Sequence, residues 1–150
     1  MLISFLATLV SSARNFAGTP LELTNIAILD DGNTTLSFDV YNPDPLANTR
    51  ATCGAIWETS SNAYPTVSYK ACANSTFGWQ MKEFHSLNTF SLNILHTFHD
   101  PSVGQPPYDV VTVFAEGDIA STTVPCDANG HSCKQADATV IKATVTAASS

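Results

Sequence analysis

The stretch Phe90-Ser91-Leu92-Asn93-Ile94-Leu95-His96-Thr97-Phe98 repeats with a period of two. Phe90, Leu92, Ile94, His96 and Phe98 fall on one face, as on a β-strand whose successive side chains point to opposite sides of the pleat. The same alternation recurs on both sides of it. Leu36, Phe38 and Val40 alternate with Ser37, Asp39 and Tyr41, and Phe77, Trp79 and Met81 alternate with Gly78, Gln80 and Lys82. Val111, Val113 and Ala115 form a further face, and Thr139, Ile141, Ala143 and Val145 form the last. Weaker strand signals cover Leu21 to Leu29, Thr52 to Trp57 and Thr66 to Cys72. Breakers separate these runs: Asp30-Asp31-Gly32-Asn33, which reads as a hairpin, then Asn42-Pro43-Asp44-Pro45, then Asp100-Pro101 through Pro106-Pro107. No stretch keeps a helical period and no segment repeats. The reading is all-β: a compact antiparallel β-barrel or β-sandwich of about eight or more strands.

The 150 residues suit one domain, and a 44% hydrophobic content supplies its core. The formal net charge is −7. The six basic residues, Arg14, Arg50, Lys70, Lys82, Lys134 and Lys142, are scattered, so no patch suits a phosphate backbone or an anionic bilayer. Neither nucleic acid nor membrane is therefore expected as a partner. Leu2 to Val10 is an apolar run too short to span a bilayer but of signal-peptide length, and Ser11-Ser12-Ala13 offers small residues for cleavage. Residues 1–13, to about 18 at most, read as a signal peptide, with a single secreted β domain over 19–150. The competing reading of the apolar run is a buried first strand.

A secreted chain with four cysteines, Cys53, Cys72, Cys126 and Cys133, reads as disulfide-bonded. Of three possible pairings, the local one, Cys53–Cys72 with Cys126–Cys133, closes the short loops and is preferred. Asn129-Gly130 inside the second loop is expected to supply the positive φ angles of a tight turn. A zinc site is the alternative, but no C-x-x-C occurs and His131 alone would complete the set. Asn33-Thr34-Thr35 and Asn74-Ser75-Thr76 are N-glycosylation sequons beside turn-like sequence.

Chemistry-bearing motifs are sparse. His96-x-x-His99-Asp100 resembles a metal fragment, yet residues three apart on a strand face opposite ways, so His96 reads as a hydrogen-bonded core histidine. Glu83 and His85, with Glu58 and Arg50 elsewhere, are the only set that suggests a guanyl-specific ribonuclease, which needs a base, an acid and a cation for the phosphate. The Tyr-x-His arrangement of those enzymes is missing. Asp30, Asp31 and Asn33, or Asp127 with Asp137, lack a full calcium loop and read as turn formers. There is no G-x-S-x-G, no H-E-x-x-H and no phosphate-cradling glycine loop. The sequence thus points to no catalytic residue, no metal and no cofactor.

Three segments together resemble the Alternaria major-allergen-like family of fungal secreted proteins, which includes cell-death-inducing elicitors. The first is Leu36-Ser37-Phe38-Asp39-Val40 followed by Cys53. The second is Tyr69-Lys70-Ala71-Cys72 running into Phe77-Gly78-Trp79-Gln80-Met81 and then Phe90 to His99. The third is Val113-Phe114-Ala115-Glu116-Gly117-Asp118 leading to Cys126 and Cys133. The resemblance spans roughly residues 21–146. It implies a compact antiparallel β scaffold with the two local disulfides and no catalysis. It also implies that the protein engages a host or plant extracellular defence protein or receptor, or a small phenolic ligand. The Cys126–Cys133 loop is shorter than the family's, and the extra N-terminal cysteine behind the allergen's covalent dimer is missing. A monomer or non-covalent dimer is therefore expected.

The resulting expectation is a secreted effector or elicitor in the host apoplast, acting by binding. Its candidate contact regions are Asp44 to Arg50, Asn62 to Pro65 and Val103 to Tyr108, with Arg50, Tyr64 and Tyr108 as their marker residues. The alternatives are a small ribonuclease-like hydrolase, and a carbohydrate- or cell-wall-binding module using Trp57 or Trp79. Trp79 alternates with Phe77 and Met81, so core packing is the expectation for it.

Overall fold

The structure is a computed structural model that describes residues 19–150; the signal-peptide reading of residues 1–13 lies outside the described residues. The alternating runs become strands β1 (Leu21–Asp30), β2 (Asn33–Asn42), β3 (Thr49–Glu58), β4 (Lys70–Ala71), β5 (Phe77–Ser86), β6 (Thr89–His99), β7 (Val110–Ile119), β8 (Ser132–Lys134) and β9 (Ile141–Ser149). Burial keeps the period of the sequence. On β6 the side chains of Phe90, Leu92, Ile94, His96 and Phe98 are buried, while the residues between them are partly exposed. Phe38, Phe77, Trp79 and Phe90 are the largest of the fully buried side chains, each contributing about 1.5–3 kcal/mol by leaving water. Phe38 meets Trp79 edge to face at a centroid distance of 5.5 Å.

Every pairing is antiparallel, in the order β3-β2-β1-β9-β7-β6-β5-β4, with β8 added to β1. An open sheet of this length would leave two raw edges, β3 and β4, as templates for aggregation. Here the two edges meet. Cys53 of β3 is disulfide-bonded to Cys72, which follows β4, and the Ala73 N–H donates to the Thr52 carbonyl at 2.9 Å. Further along the seam the Met81 N–H donates to the Pro65 carbonyl at 2.6 Å. Tyr64 fills the remaining gap, packed between Trp57 and Phe84 at centroid distances of 5.6 Å and 5.3 Å. The sheet therefore curls into a nearly closed barrel, which decides between the barrel and the sandwich.

The hairpin read at Asp30-Asp31-Gly32-Asn33 joins β1 to β2. Gly32 takes φ +105°, and its N–H donates to Asp30 Oδ1 at 3.0 Å. That bond, with the Thr59 hydroxyl at 2.8 Å, holds the Asp30 carboxyl below the usual range. Both local disulfides form as the sequence suggests, Cys126–Cys133 closing a separation of seven residues.

Three local readings shift. The strand expected over Thr66 to Cys72 shrinks to Lys70–Ala71, because the chain there crosses the seam and leaves Val67 97% exposed. The last strand starts at Ile141 rather than Thr139, because the Thr139 hydroxyl and N–H both donate to the Ala136 carbonyl in a turn with Ala138 at φ +61°. Within the small disulfide loop Gly130 takes positive φ and Asn129 does not.

Candidate functional site

Strand directions decide which loops lie together. Glu22 at the start of β1 pairs with Tyr41 near the end of β2, and Tyr41 pairs with Arg50 at the start of β3. Across the sheet, β9 runs from Ile141 beside Leu23 to Ser149 beside Thr112, so the start of β7 and the end of β6 lie at the same barrel end. Two of the three candidate regions, Asp44 to Arg50 and Val103 to Tyr108, therefore share one end. The third, Asn62 to Pro65, belongs to the seam-crossing segment after β3, at the opposite end. Its Tyr64 is a wedge against Trp57 and Phe84 rather than a displayed ring.

At the shared end the local hydrogen bonds are dense. Asp44 Oδ1 accepts the Leu46 N–H at 2.9 Å, and the Asp44 N–H donates to Asn42 Oδ1 at 3.1 Å. That second bond orients the Asn42 amide, whose Nδ2 then donates to His96 Nδ1 at 2.9 Å. His96 is 1% exposed and stacked on Phe77 at 3.7 Å. Burial pushes its pKa down to about 4, so it is neutral with its proton on Nε2. This is the hydrogen-bonded core histidine read from the strand parity. His99, three residues on, faces outward and meets Asp109 Oδ2 at 3.1 Å.

Arg50 carries the site's positive charge. Its guanidinium carbon lies 4.0 Å above the Tyr41 ring, whose hydroxyl donates to Asn48 Oδ1 at 2.7 Å. Among the described residues no carboxylate lies within ion-pair distance of Arg50. Its donor fork stays open beside a surface groove of about 540 Å³, lined by the polar Asn25, Asp39, Arg50, Thr52 and Asn74 together with the apolar Val40, Ala51 and Ala73. The groove floor is built on a bulge. Asn25 adopts φ +54° where the β1–β2 register slips, and its side chain donates to Asp39 Oδ2 at 2.8 Å. The Thr52 hydroxyl donates to Asp39 Oδ1 at 2.8 Å, which rigidifies the floor. Asn25 and Asp39 carried no motif; only the isolated Asn inside a strand pattern could have flagged the bulge. Leu46 and Tyr108, 48% and 79% exposed, flank this end.

The residues weighed for catalysis do not gather with the arginine. Glu58 and Arg50 are eight residues apart on β3, which at ~3.3 Å per residue separates them by about 26 Å. Glu83 and His85 pair with each other at 3.2 Å on the exposed end of β5, near the Ser86–Thr89 turn. Trp57 and Trp79, 5% and 0% exposed, face the interior rather than offering a sugar-stacking platform. Asp127 Oδ1 accepts the His131 N–H at 3.1 Å within its turn, as expected of a turn former. Among the described residues no group of three or more His, Cys, Asp or Glu is arranged around a metal position. At one sequon Asn74 Oδ1 accepts the Thr76 N–H and hydroxyl, and Asn33 at the other is exposed at the start of β2.

No family model, no curated protein and no solved structure matches this chain.

Proposed function

We propose that this chain is a secreted, non-catalytic binding protein of the fungal effector or elicitor type. It meets a host extracellular defence protein or receptor through the barrel end formed by Asp44 to Arg50 and Val103 to Tyr108. The observation that carries the reading is Arg50: an arginine stacked on Tyr41, with no carboxylate of the described residues within ion-pair distance, at the rim of a groove of mixed polar and apolar lining. Arginine and tyrosine held rigid at a surface are the residues that dominate binding energy at protein interfaces. The two disulfides support an oxidising, extracellular setting, and the resemblance in the β2, β5–β6 and β7 segments supports the effector class.

Infiltration of the purified, disulfide-intact chain into leaves tests this. Wild type should provoke a measurable defence response, and Arg50→Ala with Tyr108→Ala should reduce it at least tenfold in dose while circular dichroism is unchanged. Glu58→Ala and His85→Ala should leave the response intact. A response lost only in the latter two, with ribonuclease activity to match, would replace the binding reading with the hydrolase reading.

A further inference from the structure

One of the two sequon asparagines stands in the wall of the Arg50 groove. Asn74 lines it together with Asn25, Asp39, Arg50 and Thr52. Asn33 does not: it pairs with Glu58 at one end of the β2–β3 ladder, whereas Tyr41 pairs with Arg50 near the other. Eight residues along β2 at ~3.3 Å each place Asn33 about 26 Å from that pair.

Asn74 is also held in place. Cys72, two residues before it, is bonded to Cys53, and the Ala73 N–H donates to the Thr52 carbonyl at 2.9 Å. The Phe77 N–H donates to the Asn74 carbonyl at 3.0 Å, which closes a turn over Asn74 to Phe77. Inside that turn Asn74 Oδ1 accepts the Thr76 N–H at 3.1 Å and the Thr76 hydroxyl at 2.8 Å. The sequon's own threonine thus anchors the amide by its oxygen, and Nδ2 donates to none of the described residues. Asn74 is half-buried, while Ser75 and Thr76 are exposed.

We propose that Asn74 carries an N-linked oligosaccharide and that this glycan closes the Arg50 groove. The donor class is an oligosaccharide on a lipid diphosphate. Asn74 Nδ2 bonds to the anomeric carbon, and the bond from that carbon to the diphosphate oxygen breaks. The diphosphate leaves with the electron pair, and the proton lost from Nδ2 passes to solvent. The first sugar then starts at the groove wall, where a bulky, hydrated chain stands between Arg50 and any partner. Asn25, Arg50 and Thr52 offer polar groups to sugar hydroxyls, and Val40, Ala51 and Ala73 offer apolar surface to the C–H faces of the rings. A glycan on Asn33 is too distant to do the same. Glycosylation of this kind presupposes the secreted reading above, and closure of the groove sets when the proposed binding face is open.

Phenylglyoxal, which modifies accessible guanidinium groups, reads the groove without any host partner. The full chain secreted by a eukaryotic host is compared with the same chain made in a bacterial periplasm that attaches no glycan. Peptide mass mapping should find sugar on Asn74 of the secreted chain, and Arg50 there should react at least about fivefold more slowly than in the bare chain. Secreted Asn74→Gln should regain the fast rate, and secreted Asn33→Gln should not. A secreted chain bare at Asn74, or equal Arg50 rates in the glycosylated and bare chains, overturns the proposal. Shielding of Arg50 with no leaf response from the bare chain would uphold the glycan and sink the binding reading instead.

Discussion

His96 shows how one side chain couples sequence period, packing and pH. Its position on the apolar face of Phe90 to Phe98 places it inside the barrel, where Asn42 and Phe77 hold the neutral ring. The folded pKa of about 4 lies below the ordinary value of 6.5, so between these two values the unfolded chain binds the proton and the folded chain does not. Stability from this residue is complete above pH 6.5 and is lost as pH falls toward 4, by on the order of 3 kcal/mol. A Tm–pH profile should decline through that window, and His96→Gln should flatten it. A profile equally steep in the variant would assign the loss to other groups. Asn25 offers a second residue-scale check. Because its backbone sits at φ +54°, Asn25→Val should cost about 1–2 kcal/mol in urea unfolding, and Asn25→Gly far less.

At the scale of elements, the seam between β3 and β4 is where the barrel closes without a strand ladder. Cross-linking a loop of nineteen residues' separation constrains the unfolded chain by about 3 kcal/mol, and a separation of seven by about 2.5 kcal/mol. The two staples differ little in chain entropy, but only Cys53–Cys72 closes the barrel. Replacing both Cys53 and Cys72 by Ala should speed hydrogen exchange along β3, β4 and the start of β5. The Cys126/Cys133 pair of replacements should affect β8 and its neighbours alone. Equal exchange in both variants would mean that the seam holds without its disulfide. Gly54 lies on the same strand, where an added Cβ would come within 2.5 Å of the Leu36 carbonyl oxygen. Gly54→Ala should therefore cost about 1–3 kcal/mol by forcing β2 and β3 apart. The strands were legible because a buried face imposes a period of two. The seam was not, because Tyr64, Pro65 and Ala73 act through contacts far along the chain that carry no local pattern. For the same reason the stretch Thr66 to Cys72 looked more strand-like than it is: apolar Val67 faces solvent.

At the scale of the whole molecule, antiparallel pairing sorts loops between two ends, and that sorting sets the proposed binding face. Arg50 and Tyr108 were visible in the sequence as residues on turns, but not as residues of one barrel end, since that needs the strand order β3-β2-β1-β9-β7-β6. Glu58, Glu83 and His85 belong to the other end, away from the only arginine among the described residues. The groove bulge at Asn25 was invisible for the same reason: it is a product of register, not of motif. The most direct test of the binding face is hydrogen–deuterium exchange of the intact chain in plant apoplastic fluid, compared with buffer. Binding through this end should add protection in residues 44–50 and 103–108, lost in Arg50→Ala. Protection confined to residues 59–67, or none at all, would contradict it.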